Sequence, residues 1–227
     1  MSVNMSVKSP AADDLTLEEM RSLLAPKVAR HAAFDGWGDA AVGAAAADCG
    51  IDAGLARIAM GKSPVDHIDA WFTHVDGAMR AALPVETLGQ MGMTRRITAL
   101  VEARLDILSP EREGLRRAIA ILALPTNAAR AARLAWRSAD AMWRQAGDTA
   151  SDFNHYSKRM TLGAVYTSTI AVFINDESEN QAETREFLAR RIANVMQFEK
   201  WKGSLRERRI MRPSLTRFIS RLRYPRH

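Results

Sequence analysis

The 227-residue chain is rich in alanine, holds 13 glycines and 8 prolines, and nowhere sustains strand-type alternation, so it excludes a β architecture and points to helix throughout. Its single cysteine, Cys49, excludes an intrachain disulfide or a cysteine-built zinc cluster and fits a reducing compartment. The net charge of +6 is uneven: residues 200–227 carry ten basic side chains against one acid, a net +9, and the remaining 199 residues are net −3.

Residues 1–15 form a polar leader without the apolar run of a signal peptide, and no later run is long and uncharged enough to span a bilayer. Thr16-Leu17-Glu18-Glu19 is a capping box that opens a helix with Met20, Leu23, Leu24 and Val28 at helical spacing, ending near Asp35-Gly36. A second helix over Trp37 to Cys49 is built of small residues and stopped by Gly50. A short third runs from about Asp52 to Met60. Three short helices with a glycine turn between the last two predict a helix-turn-helix over residues 16–62.

A DNA-reading helix needs polar and basic side chains aimed at base edges and a positive field for the phosphates. The third helix offers mainly alanine, leucine, isoleucine and methionine, and residues 1–62 hold six basic against eight acidic side chains. No sequence-specific nucleic-acid binding is expected, and the motif reads as a degenerate scaffold.

From Ser63 to Ala82 runs a helix with a broad apolar face, and further helices are expected over Thr94–Leu108, Glu111–Leu124 and Ala128–Gln145. His67 and His74 stand seven residues apart with no Glu-x-x-His partner or third ligand, so no metal site is expected. Gly-rich phosphate loops after a strand, serine nucleophile elbows and internal repeats are missing from the sequence. Neither a cofactor nor an enzyme activity is expected.

The most informative stretch runs from Trp136 to Asn175. Ala146-Gly147-Asp148 joins two helices, with Ser151 or Asp152 able to cap the second. That second helix begins polar (Asp152, Asn154, His155, Lys158, Arg159) and ends apolar. Asp152, His155 and Tyr156 could be drawn as an acid/base group, yet polar side chains in the first turns of such a helix ordinarily just face water. Tyr156 and Arg159, three apart, share a helical face, and an aromatic beside an arginine has the composition of a binding hot spot.

Trp143, the Ala-Gly-Asp turn, Asp152-Phe153-Asn154, Tyr156, Arg159 and the apolar run with Tyr166 resemble the signature of the ubiquinone (coenzyme Q) biosynthesis accessory proteins. The resemblance is sharp over about residues 117–195. It implies an all-α, TetR-regulator-like helical bundle that binds lipid rather than DNA and assists a late hydroxylase. Where that family usually has a tryptophan before the tyrosine, this chain has His155, on the surface that in the family faces the partner enzyme.

The function expected from this resemblance is a lipid-binding accessory protein that takes an isoprenoid quinone precursor or phospholipid and presents it to the demethoxyubiquinone hydroxylase. Pocket candidates are Trp136, Met142, Trp143, Met160, Ala164, Thr167, Ile170 and Ala171, many of them flexible or small, which can border a cavity as easily as fill one. Partner-binding candidates are Asp152, His155, Tyr156 and Arg159. The rival readings are a TetR-type repressor and a ligand-free helical scaffold, and a homodimer is left open.

The last globular helix is expected over Glu183–Lys202, closing a helical lipid-binding region over 63–202, with a break at Gly203 before a basic amphipathic tail over 203–227. Met211, Leu215, Phe218, Ile219 and Leu222 fall on one helical face, while Arg217 and Arg221 lie largely elsewhere. The tail reads as a membrane-binding helix that seeks an anionic surface, giving a cytoplasmic protein peripheral to the inner membrane, or its mitochondrial-matrix equivalent. At about 1 kcal/mol per basic residue near an anionic surface, five such contacts contribute several kcal/mol. Phe218→Glu with Ile219→Glu is expected to weaken sedimentation with anionic liposomes while neutral liposomes bind poorly throughout; undiminished sedimentation of the double variant would remove the tail's apolar face from membrane binding.

Overall fold

The computed structural model describes residues 15–149 and 153–210, with side chains placed for 15–149 and 155–197. Among these the secondary structure is entirely helical: α1 (Leu17–Asp35), α2 (Asp39–Cys49), α3 (Ala53–Met60), α4 (Pro64–Ala82), α5 (Val85–Gly89), α6 (Met93–Leu108), α7 (Arg112–Leu122), α8 (Ala128–Gln145), α9 (Phe153–Phe173) and α10 (Ala182–Ile210). The chain divides into two compact units between Leu188 and Ala189. The expected amphipathic tail residues Met211, Leu215, Arg217, Phe218, Ile219, Arg221 and Leu222, and the partner candidate Asp152, lie outside the described residues.

Local chemistry sets most boundaries. Thr16 caps α1 in the expected capping box with Glu19, Asp52 accepts from the Gly54 and Leu55 amides at the start of α3, and Ser63 with Asp66 forms a second capping box ahead of Pro64. Two expectations are corrected. The short α5 intervenes between Pro84 and α6, and α10 runs unbroken through Gly203 to Ile210. An interior glycine costs a helix about 1 kcal/mol relative to alanine, too little to stop it among lysine, leucine, arginine and glutamate neighbours.

In the unit ending at Leu188, α4 is the central element. It packs against α1, α6, α7 and α8, burying Val65, Ile68, Trp71, Phe72, Val75 and Met79. The small-residue α2 and α3 pack on α1, with the Trp37 and Trp71 rings 5.3 Å apart where this N-terminal group meets α4. Trp37 Nε1 donates to the Gly114 carbonyl at 2.9 Å. At Gly114 itself α7 crosses α1 so closely that a Cβ would come within 2.6 Å of the Ala29 carbonyl oxygen. His67 is buried with its ring nitrogens 3.0 Å from the Trp37 carbonyl and 3.2 Å from the Gly61 carbonyl, so it joins backbone segments rather than offering a metal ligand.

The surface of α3 is apolar where a DNA-reading helix would be polar. Leu55 and Ile58 are exposed, and Arg57 is the one basic residue of that helix. α9 packs antiparallel-hairpin fashion on α8, with Gly163 set against Ala135 and Ala139.

One fully buried cation joins four of these helices. The Arg104 guanidinium of α6 pairs with Asp76 of α4, donates to Tyr166 Oη of α9 at 3.0 Å and to Ser138 Oγ of α8 at 2.9 Å. Burial works against its charge, but Tyr166 and Asp76 more than offset this and raise its pKa further; burial likewise pushes the Tyr166 phenol up. Removing one partner of a buried, hydrogen-bonded ion pair leaves the other charge unpaired. Arg104→Met is therefore expected to destabilise the fold by about 3–5 kcal/mol, lowering the melting temperature by roughly 10 °C, and adding Asp76→Asn should recover part of the loss. Calorimetry of the single and double variants checks both.

Candidate docking site

The Ala-Gly-Asp turn and the start of α9 form an ionic lock. Gly147 takes φ +90°, a left-handed conformation that ends α8, and the Ala146 carbonyl receives Arg96 Nη1 at 2.8 Å. Asp148 then turns inward to accept from Lys158 Nζ at 2.7 Å and Arg159 Nη1 at 3.1 Å. Arg159 also donates through Nε to Asp140 of α8 at 2.6 Å. Burial would push the Asp148 carboxyl up, but the hydrogen bonds and charges of Lys158 and Arg159 outweigh it and hold it below the ordinary carboxylate value.

This corrects the expectation for Arg159, which is 2% exposed and cannot be part of a docking face. Its guanidinium, reaching across to α8, is satisfied by two carboxylates of the chain itself. The helical spacing that places it within a face of Tyr156 is real, but the partner helix covers that side. Asp140 and Asp148 carry the other half of the lock; Asp148 stands in the Ala-Gly-Asp turn, which was the available signal, whereas nothing in the sequence singles out Asp140.

Above the lock lies an aromatic patch. Tyr156 is 58% exposed, and its ring centroid stands 5.9 Å from that of Trp136 on α8 and 5.3 Å from that of His155. Trp136 and His155 are half-buried, with centroids 6.3 Å apart. One turn beyond Tyr156, Met160 is 68% exposed. Trp136, a pocket candidate on sequence grounds, thus stands beside the partner-binding candidates His155 and Tyr156.

The remaining pocket candidates divide between the core and the surface. Met142 and Ile170 are buried in packed core, and Trp143 is half-buried, its Nε1 donating to the Lys158 carbonyl at 3.1 Å with the Lys158 ammonium 5.1 Å from its ring centroid. Met160, Ala164, Thr167 and Ala171 point outward and continue the line of Tyr156 along one stripe of α9. The Thr167 hydroxyl donates back to the Gly163 carbonyl at 2.8 Å, so its polarity is spent within the helix. Small residues with this periodicity face outward here because the opposite side of α9, with Leu162, Val165, Tyr166 and Phe173, already fills the interface with the bundle.

Residues 128–199 match the COQ9 family. The chain resembles COQ9 proteins well beyond that segment: it is 32% identical over 168 residues to the human "Ubiquinone biosynthesis protein COQ9, mitochondrial" and 31% identical over 168 residues to the rat protein of the same name. These alignments cover 71% of this chain and 52% and 54% of the relatives, so the chain spans about half their length. The fold is also that of the TetR transcriptional regulator from Nitrosomonas europaea, with a TM-score of 0.62 and 24% identity over 78% of this chain and 98% of that one. The lock, the aromatic patch and the α9 stripe all fall within the COQ9-matching segment.

Because Asp148 has a depressed pKa in the folded state, its contribution to stability is fully present above its ordinary value of 3.8 and is lost as pH falls through the folded value. Asp66, hydrogen-bonded by Arg130 and Ser63 against an opposing burial effect and lowered to about 2, adds to the same window. The melting temperature is expected to drop between about pH 5 and pH 2. Asp148→Asn should lower stability at pH 7 and reduce that pH dependence, as followed by circular dichroism.

Proposed function

We propose that the chain serves ubiquinone biosynthesis as an accessory protein that docks a hydroxylase through the Trp136–His155–Tyr156–Met160 patch and brings an isoprenoid quinone precursor to it. The observation that carries this reading is the patch itself: exposed aromatic and methionine side chains held on a rigid base by Arg159, Asp140 and Asp148. Aromatic anchors on a preorganised support are the composition of a binding hot spot, because little side-chain freedom is lost on association. The names of the human and rat relatives supply the pathway.

The apolar ligand is received on the outer stripe of α9, from Met160 through Ala164 and Thr167 to Ala171, rather than in an internal cavity among those side chains. Such a stripe abutting the patch puts the ligand beside the docked enzyme. Peripheral association with the inner membrane fits this role, and no helix among the described residues is long and apolar enough to cross a membrane. The repressor reading is opposed by the exposed Leu55 and Ile58 on α3.

Tyr156→Ala and Met160→Asp are expected to leave helicity and melting unchanged, since both side chains are exposed, while weakening co-purification of the demethoxyubiquinone hydroxylase by tenfold or more, the effect of losing about 1.4 kcal/mol or more at a hot spot. Mass spectrometry of organic extracts should find isoprenoid lipid with the wild type and less with Ala164→Asp. Wild-type hydroxylase capture by the Tyr156 and Met160 variants would eliminate the patch as the docking surface.

A further inference from the structure

A second feature, separate from the aromatic patch, lies between α4 and α8. A groove of about 380 Å³ is lined by Val65 and Asp69 of α4 and by Arg130, Arg133, Leu134 and Arg137 of α8. The three arginines are spaced i, i+3 and i+7, which aligns them along one helix face. The buried Val65 and Leu134 give the groove an apolar strip.

Two of the arginines are paired across it. Arg130 meets Asp66 and donates to Ser63 Oγ at 3.3 Å, and Arg137 donates to the Asp69 carboxylate at 2.7 Å and to its carbonyl at 3.0 Å. At the deep end Asp76 is already held by Arg104, and Arg137 Nε stands 3.5 Å away from its second oxygen. That Nε is buried and makes no hydrogen bond. Arg133 is exposed and has no acidic partner among the described residues; its Nε reaches only the Ala129 carbonyl of its own helix, at 3.4 Å.

Charge balance is therefore incomplete. Arg104, Arg130, Arg133 and Arg137 stand against Asp66, Asp69 and Asp76, leaving a single positive charge centred on Arg133. Hydrogen bonds from Arg130 and Ser63, stronger than the opposing effect of burial, keep Asp66 ionised at neutral pH, so it does not alter this balance. Guanidinium groups beside an apolar strip suit a ligand with an oxyanion at one end, since planar donors match phosphate oxygens and the strip receives hydrocarbon.

We propose that the α4–α8 groove binds a singly charged phosphate group, with Arg133 as the principal contact and any attached apolar chain against Val65 and Leu134. A membrane phosphodiester and a free phosphate share this chemistry. The experiment separates them by titrating the full chain calorimetrically with dihexanoyl phosphatidylglycerol below its micelle concentration, with dihexanoyl phosphatidylcholine, and with inorganic phosphate.

Phosphatidylglycerol is expected to bind at one equivalent, and Arg133→Gln should weaken it about tenfold or more, the scale of a hydrogen bond to a charged group. Arg95→Gln, which removes an exposed arginine of α6, should leave binding unchanged. Tighter binding of phosphatidylglycerol than of phosphate assigns the groove to lipid, whereas equal affinities, both lost in Arg133→Gln, assign it to free phosphate. Because Arg133 is exposed and forms no ion pair in the described structure, the variant should melt as the wild type does. Absence of binding by either phosphate probe, equal binding of phosphatidylcholine, or an affinity indifferent to Arg133→Gln would overturn the proposal.

Discussion

The bundle depends on one buried charge. Arg104 reaches from α6 into the space where α4, α8 and α9 meet, and its guanidinium finds Asp76, Ser138 and Tyr166 there. Apolar packing alone is non-directional and would tolerate several rotations of these helices about their axes. A planar donor group that must satisfy specific acceptors from three other helices restricts those rotations, because every alternative strands a buried charge or hydroxyl. The same Asp76 faces Arg137, so the core network runs directly into the α4–α8 groove.

A second ionic cluster performs a comparable task nearer the surface. Asp148 on the turn and Asp140 on α8 hold Arg159, and Lys158 closes against Asp148 and the face of Trp143. The result is that the first turns of α9, which are polar and would fray by themselves, are fixed to α8. Tyr156 and Trp136 consequently present their rings from a rigid base. Labour in this segment is divided: Arg159, with Asp140 and Asp148, is spent on joining α9 to α8, while Tyr156 beside Trp136 is left facing solvent.

The connection from α9 to α10 follows the same logic. Asp176 accepts from the amides and hydroxyls of both Ser178 and Thr184, which hold its carboxyl well below the usual range despite burial, and fixes the start of α10. Arg112 and Arg116 of α7 donate to the Asp176 and Ile174 carbonyls, neutralising the negative end of α9. The helical skeleton is similar to that of a TetR regulator, while the third helix offers leucine and isoleucine to solvent and the charged and aromatic clusters lie on α8 and α9.

What the sequence by itself determined was local. The Thr16–Glu19 and Asp52 caps, the Gly50 and Gly147 stops, and the limits of α8 follow from short-range hydrogen bonding and backbone sterics, and they can be read without any tertiary information. The spacing of Trp143, Ala-Gly-Asp, Tyr156 and Arg159 likewise sufficed to indicate the family. Direction was decided only by tertiary packing. Tyr156 and Arg159 share helical spacing, yet α8 covers one and leaves the other in solvent; Met160, Ala164, Thr167 and Ala171 look like cavity lining in sequence and stand on the outside because larger residues on the opposite side of α9 fill the core. Arg104 is the clearest case: in sequence an arginine is a surface charge by default, and only the convergence of acceptors from α4, α8 and α9 makes its burial stable.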